Sequence, residues 1–302
     1  MMSKVYVFTR FGGPEHEELQ DRPVPEPGPG ELLLEVRAGG VNPADWKIRE
    51  GLFGTDRALP SGMGLEAAGV VAATGEGVAG FRVGDAVLAG VPGGNGGWAE
   101  HTLVRADETV PKPAGIGFTD AATLPVAGAT AYDLVHHVPP EAGGTVLVVG
   151  AGGGVGLMAA QVAAARGLAV IGVASEGKRR LVEGTGATFV PSGAGLADRL
   201  REVAPEGVDL VVDLVGGDVL REAAASAREP HRVVSATDPT VVELGGGQRV
   251  HRPGALAEVT RLLAEGLVDP HVTATYPLHR AGEAMAAVET GHAAGKVVVT
   301  VP

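Results

Sequence analysis

The apolar positions of this chain change their period partway along it. From Lys4 to about Val110 they fall in short runs: "KVYVFTR", "ELLLEVRAGGV", "AAGVVAATG", "DAVLAGV" and "EHTLVRA". These are rich in Val and Leu, partly alternating, and separated by Gly, Pro and Asp clusters, which predicts strands joined into an all-β, barrel-like unit. "RPVPEPGPGE" reads as a stiff surface connector. The stretch "TDAATLPVAGATAYDLVHHV" then offers Thr119 or Asp120 as an N-cap and continues with helix formers, with Pro125 placed to break or restart the helix.

Beyond it, strands and helices alternate. "TVLVVG" precedes a helix from about Gly154 to Arg166, "LAVIGVA" one from Lys178 to Thr185, and "ATFVP" one from Leu196 to Ala204. "VDLVVDLVG" precedes a helix from Val219 to Ala227, "HRVVSAT" follows, and "PGALAEVTRLLAEGLV" supplies one more amphipathic helix. Short connections of this kind make right-handed crossovers, hence a parallel sheet covered on both faces. The final run "KVVVTV" has no helix after it and is expected to rejoin the first unit. The chain is therefore divided into 1–118, the first part of the β unit; 119–269, the parallel-sheet domain; and 270–302, the return.

A length of 302 residues with 45% hydrophobic content permits a full buried core, and the 48 glycines are scattered among apolar runs instead of forming a repeat. The net charge of −12 argues against a sequence-independent grip on nucleic acid. The longest apolar stretch, around Val155 to Ala165, is interrupted by Gln161 and falls short of the roughly 20 residues that span a bilayer. A soluble, cytoplasmic protein with no membrane partner is expected. The absence of cysteine removes disulfides, thiol catalysis and every cysteine-containing zinc site. There is no H-E-x-x-H and no G-x-S-x-G, and "LVHHVP" reads as a helix end, not a metal pair.

"GAGGGVG", Gly150 to Gly156, stands between a strand and a helix, with its glycines spaced G-x-x-G-x-x-G. It is either a tight turn or a phosphate cradle, and the strand–turn–helix setting favours the cradle, because a helix start offers unpaired N–H groups and a positive dipole end. Gly152, Gly153, Gly154 and Val155 are its candidate cofactor contacts. An NAD-binding unit ends its second strand with an acid roughly 20 residues after the loop. Here that strand runs into "SEGKRR", with Ser175 at the acid position and Lys178, Arg179 and Arg180 close behind. A hydroxyl and cations suit the 2′-phosphate of NADPH. Glu176 either serves the ribose, which would admit NADH, or points to solvent.

Several stretches taken together resemble the zinc-independent quinone oxidoreductases of the medium-chain dehydrogenase/reductase superfamily. They are "VNPADWKIREG", "GLEAAGVV", "GGWAEH", "LPVAGATAYDLV", the Gly150 loop and "GHAAGKVVVTV", in the family's order across nearly the whole chain. The resemblance implies an α/β fold in which a GroES-like β-barrel catalytic domain is joined to a Rossmann parallel-sheet domain, with a cleft between them. It also implies a homodimer built through a late Rossmann strand, placed in "TVVELGGGQRVHR". Zinc members of the superfamily have a His where this chain has Leu65, and this chain has Asn42 near the region of their first ligand, so no metal is expected and Glu66 is assigned a structural role.

Without a Lewis acid, acceptors that are already electron-poor need the least assistance, which points to hydride transfer to quinones or α,β-unsaturated carbonyls. The alternatives are an enoyl-thioester reductase and a non-catalytic NADPH-binding sensor or partner protein. By the resemblance, Asn42, Asp45 and Lys47 lie beside the nicotinamide. Lys47 stands where the family often has tyrosine; it is either a proton donor or charge stabiliser, or an exposed lysine on a loop. Thr130 and Lys296 are placed near the cofactor by the same analogy. Val215, Gly216, Ser235 and Ala236 sit at carboxyl ends of strands, where an open α/β sheet binds ligands. Phe53 and Trp98 are candidates for the substrate cleft, with core packing the stronger alternative for Trp98.

Overall fold

The computed structural model describes residues 1–291 and 293–302, and they divide into two compact units, 1–126 with 272–302, and 127–271. The first unit begins with β1 (Met2–Phe8), β2 (Glu17–Pro23), β3 (Glu31–Val41), α1 (Pro43–Arg49), β4 (Ser61–Gly62) and β5 (Glu66–Thr74). It continues with β6 (Ala86–Gly90), β7 (His101–Arg105), β8 (Thr109–Pro111) and α2 (Phe118–Ala121). The second unit runs α3 (Ala129–Val135), β9 (Thr145–Val149), α4 (Gly154–Ala165), β10 (Ala169–Ala174), α5 (Arg179–Gly184) and β11 (Thr188–Pro191). It closes with α6 (Leu196–Val203), β12 (Leu210–Asp213), α7 (Gly217–Ala224), β13 (Val233–Ser235), β14 (Gly247–Gln248) and α8 (Ala255–Ala264). The chain then returns to the first unit through β15 (Val272–Pro277), α9 (Ala281–Glu289) and β16 (Lys296–Thr300).

In the first unit, β15-β16-β3-β5-β6-β8 form one sheet with β7 also paired to β3, and β2-β1-β4 form a second. β16 pairs antiparallel with β3, Val297 opposite Val41, which puts the last strand in the sheet of the first unit. Its core gathers Phe8, Leu32, Leu34, Trp98 and Val299. β2 is mostly polar, with Leu19 packed against the core, and pairs with β1 as a half-exposed ribbon. The second unit is a six-stranded parallel sheet ordered β11-β10-β9-β12-β13-β14. That is the doubly wound order, in which the chain runs outward from β9, reverses, and places its topological switch between β9 and β12. "TVLVV" is buried along nearly all of β9, as a central parallel strand requires. α4 presents Leu157, Met158, Val162 and Ala163 fully buried, because both the sheet and α3 pack on it.

The boundary between the units lies after residue 126, not after 118. α2 packs on β3 and β5, and the Val126 N–H bonds to Glu66 at 2.7 Å, so these residues are held by the first unit. The helix expected around Pro125 is split, with a π-helical turn over Leu124–Gly128 separating α2 from α3.

Candidate functional site

"NPADWK" is helical, not a loop. Asn42 is the N-cap of α1, Pro43 takes the first turn where its missing N–H costs nothing, and Asp45 at N3 accepts the Asn42 N–H at 2.8 Å. Asp45 is fully buried and also accepts a bond from the Gly64 N–H. Burial pushes its carboxyl up to about 7; the two N–H donors and Lys296 oppose the rise, and nearby Glu66 adds to it. Lys47 lies on the same helix, partly exposed, its ammonium 5.7 Å from the centre of the Trp46 ring.

Behind α1 lies a closed polar cluster. Lys296 Nζ donates to the Val41 carbonyl at 3.0 Å, to Asn42 Oδ1 at 2.6 Å and to Glu66 Oε1 at 3.0 Å. Asn42 Nδ2 donates to Glu66 Oε1 at 2.7 Å, and Glu66 Oε2 takes the Val126 N–H at 2.7 Å. All three ammonium hydrogens of Lys296 are thereby used, and the Asn42 amide has its orientation fixed by a cation on one side and an anion on the other. Lys296 and Glu66 are almost entirely out of solvent, at 4% and 0% side-chain exposure. In the structure the donors of Lys296 serve Glu66, Asn42 and the Val41 carbonyl, all in the first unit. Trp98 is likewise a core residue and not a cleft wall, being fully buried with its indole N–H given to the Gly40 carbonyl at 3.0 Å. Phe53 is 67% exposed.

In the second unit, Gly153 caps α4, and Gly154 and Val155 form its first turn. A Cβ on Gly156 would stand 2.2 Å from the Gly150 carbonyl oxygen, so the helix meets the turn with no room for a side chain. Lys178 lies across Gly152, where an added Cβ would come within 2.6 Å of its Cδ. Desolvation there lowers the Lys178 ammonium pKa below its usual range. Ser175, at the end of β10, is exposed. Arg179 turns elsewhere. It bonds Glu176 at 2.6 and 3.0 Å and Glu183 at 3.3 Å, and its guanidinium lies 4.2 Å from the centre of the Phe189 ring. The bond from Arg179 holds the Glu176 carboxyl below its usual range. Arg180 is exposed.

The carboxyl ends of β12 and β13 are tied by Asp213, a residue the sequence did not single out. Its carboxylate accepts the Val215 and Gly216 N–H groups at 3.1 and 3.0 Å and the Ser235 hydroxyl at 2.6 Å, while the Ala236 N–H bonds its carbonyl at 3.1 Å. Thr130 is buried on α3. Among the described residues no three His, Cys, Asp or Glu are grouped to hold a metal ion, and no helix is long and apolar enough to cross a membrane.

A β unit completed by a returning strand, together with a doubly wound parallel sheet carrying a glycine turn at its switch point, is the architecture of a nicotinamide-dependent dehydrogenase. Comparison with known proteins places the chain within that class. Residues 28–114 match the alcohol dehydrogenase GroES-like domain, and residues 185–299 match the domain described as zinc-binding dehydrogenase. Human quinone oxidoreductase is 31% identical, with 99% of this chain and 98% of that protein covered. The solved quinone oxidoreductase of Coxiella burnetii superposes with a TM-score of 0.91 at 29% identity, each chain fully covered. A mycobacterial protein complexed with NADPH superposes with a TM-score of 0.87 at 29% identity, covering 98% of this chain and 99% of that one. The chain belongs to the quinone oxidoreductase-like family of the medium-chain dehydrogenase/reductase superfamily and is an oxidoreductase of the kind that binds a nicotinamide cofactor.

Proposed function

We propose that this chain is a zinc-free, NADPH-dependent reductase that delivers hydride to quinones or α,β-unsaturated carbonyl compounds. The observation that carries the cofactor choice is the aliphatic stem of Lys178 packed across Gly152, which puts a lysine at the glycine turn, with Ser175 three residues before it. A desolvated ammonium and a hydroxyl would hold a phosphate monoester, while the first-turn N–H groups of α4 would face the pyrophosphate. The related NADPH complex supports the same choice. Glu176, the residue that could otherwise accept ribose hydroxyls, is engaged by Arg179.

The reading without zinc is supported by what Glu66 does: both of its oxygens already accept protein N–H groups, and Lys296 supplies the opposite charge. When bound, a reduced nicotinamide supplies the hydride. The protein supplies a rigid α1, pinned by Asn42 and Asp45, and a carboxyl at Asp45 whose raised pKa lets it carry a proton near neutrality. We assign the oligomer as a homodimer through the edge of β14, where Val242 and Val250 are exposed apolar residues flanking an outer strand.

The direct test is oxidation of NADPH and NADH measured against benzoquinones, naphthoquinones, enones and aldehydes, alongside a fluorescence titration with NADPH. Turnover of quinones or enones with NADPH preferred is expected. An aldehyde-only profile, or no NADPH binding, would refute the reading.

A further inference from the structure

We propose that Arg57 is the anchor for an oxyanion, a carboxylate or sulfonate, carried by the acceptor, so that the physiological substrate is an anionic quinone or enone. This deepens the reductase reading and rests on it for the word acceptor; the anion site itself does not. Two adjoining depressions on the first unit share Ile48 and Arg57. The inner one begins at Asp45, on the helix capped by Asn42, and includes Pro92 and Gly93; the outer one is walled by Phe53. The inner depression has room for about one water molecule, so a ligand would lie in the outer one, against the Arg57 guanidinium and the Phe53 ring.

Arg57 differs from the other arginines. Among the described residues, every other partly buried arginine has a hydrogen bond to a carboxylate, carbonyl or amide oxygen. Arg57 is partly buried and has no hydrogen bond to a described residue and no carboxylate within 4.0 Å, although Asp56 lines the same depression. Its Nη1 lies 2.7 Å from where a Cβ on Gly93 would stand, so the guanidinium lies over a position that carries no side chain. A planar fork of donors, partly desolvated and unspent, matches a carboxylate or sulfonate in two-point contact. The exposed Phe53 ring, with Leu52 beside it at 62% exposure, offers an apolar face for the ring system that bears the anion. On a chain of net charge −12, a local cation of this kind is what would retain an anionic ligand.

The test uses the full chain and two independent readouts. Calorimetric binding of anthraquinone sulfonate and of neutral hydroxymethyl anthraquinone is measured for the unaltered protein, Arg57→Ala, Arg57→Lys and Gly93→Ala, and NADPH oxidation is followed with neutral naphthoquinone. The sulfonate should bind about tenfold tighter than the neutral ligand, and Arg57→Ala should abolish that difference while leaving the neutral ligand unchanged. Arg57→Lys should restore part of it. Gly93→Ala, whose methyl displaces the guanidinium, should lose it without altering the arginine. Equal weakening of both ligands in Arg57→Ala, or of neither, overturns the proposal. If naphthoquinone is reduced but sulfonate binding ignores Arg57, the anion site fails and the reductase reading stands. If no acceptor is reduced but sulfonate binding depends on Arg57, the reductase reading fails and the anion site stands.

Discussion

Replacing Lys296 by methionine removes the only cation bonded to Glu66 among the described residues and leaves a carboxylate sealed in the first unit. At the observed 3.0 Å and an effective dielectric constant near 20, the lost attraction is about 5 kcal/mol, and the Val41 carbonyl and Asn42 Oδ1 lose a donor as well. The desolvation cost of the ammonium is recovered in part, so the net loss should be about 3–5 kcal/mol, the range for breaking one side of a buried pair. Both tryptophans of the chain, Trp46 and Trp98, lie in this unit, so urea unfolding followed by tryptophan fluorescence reports on it directly. Glu66→Gln alone should also destabilise, because it strands the ammonium. The double variant should lose less than the sum of the singles by at least about 1.5 kcal/mol, since the two stranded charges vanish together. Additive losses, or a Lys296→Met loss under about 1 kcal/mol, would refute the claim that the pair is buried and mutually dependent.

Asp45 sets a pH dependence of definite sign. Its folded pKa, near 7, lies above the ordinary carboxyl value of 3.8, so folding favours the protonated form, and this contribution is lost as pH rises from about 4 through 7. Relative to the unaltered protein, Asp45→Asn should therefore gain stability between pH 5 and 8, read as a widening difference in thermal midpoint; a constant difference would rule this out. Lys178→Ala should raise KM for NADPH about tenfold or more and KM for NADH little. Arg179→Ala should do less to NADPH, because its guanidinium already serves Glu176 and Glu183, although freeing Glu176 should improve NADH. Equal effects of Lys178→Ala on both cofactors would move the phosphate site elsewhere. Val250→Glu should convert a dimer to a monomer in light scattering, and an unchanged mass would exclude the β14 edge.

The alternation of strand and helix from β9 to α8 was legible because short apolar runs and helix-forming stretches follow one another with turn residues between them, so the series marks elements too short to be read alone. α1 was also legible in principle: Asn42, Pro43 and Asp45 spell a capped helix start, but it interrupts a series of strands, with no alternation of elements around it to mark it as a helix. β2 was missed because it is half-exposed and carries a single large apolar residue, Leu19, too little to show alternation. α9 was passed over between the strands that flank it. The Lys296–Glu66 pair joins residues 230 apart, a contact that no local pattern encodes. Asp213 reads in sequence as one acid at a strand end, and its role emerges only when the turns after β12 and β13 are folded onto it. Arg179 shows what a basic run leaves unread: neighbours in sequence differ in side-chain direction, Arg179 bonding Glu176 and Glu183 while Lys178 lies across Gly152.

The position of Lys296 orders events during translation. The second unit is continuous in the chain and can fold as soon as its own residues leave the ribosome. The first unit, although residues 1–126 are made before the second, holds Glu66 without its counter-charge and β3 without its β16 partner until residue 296 has been added. A nascent chain halted anywhere before that point should carry a folded second unit beside a first unit still open at its polar centre, and that open edge is the surface that chaperones and proteases would meet.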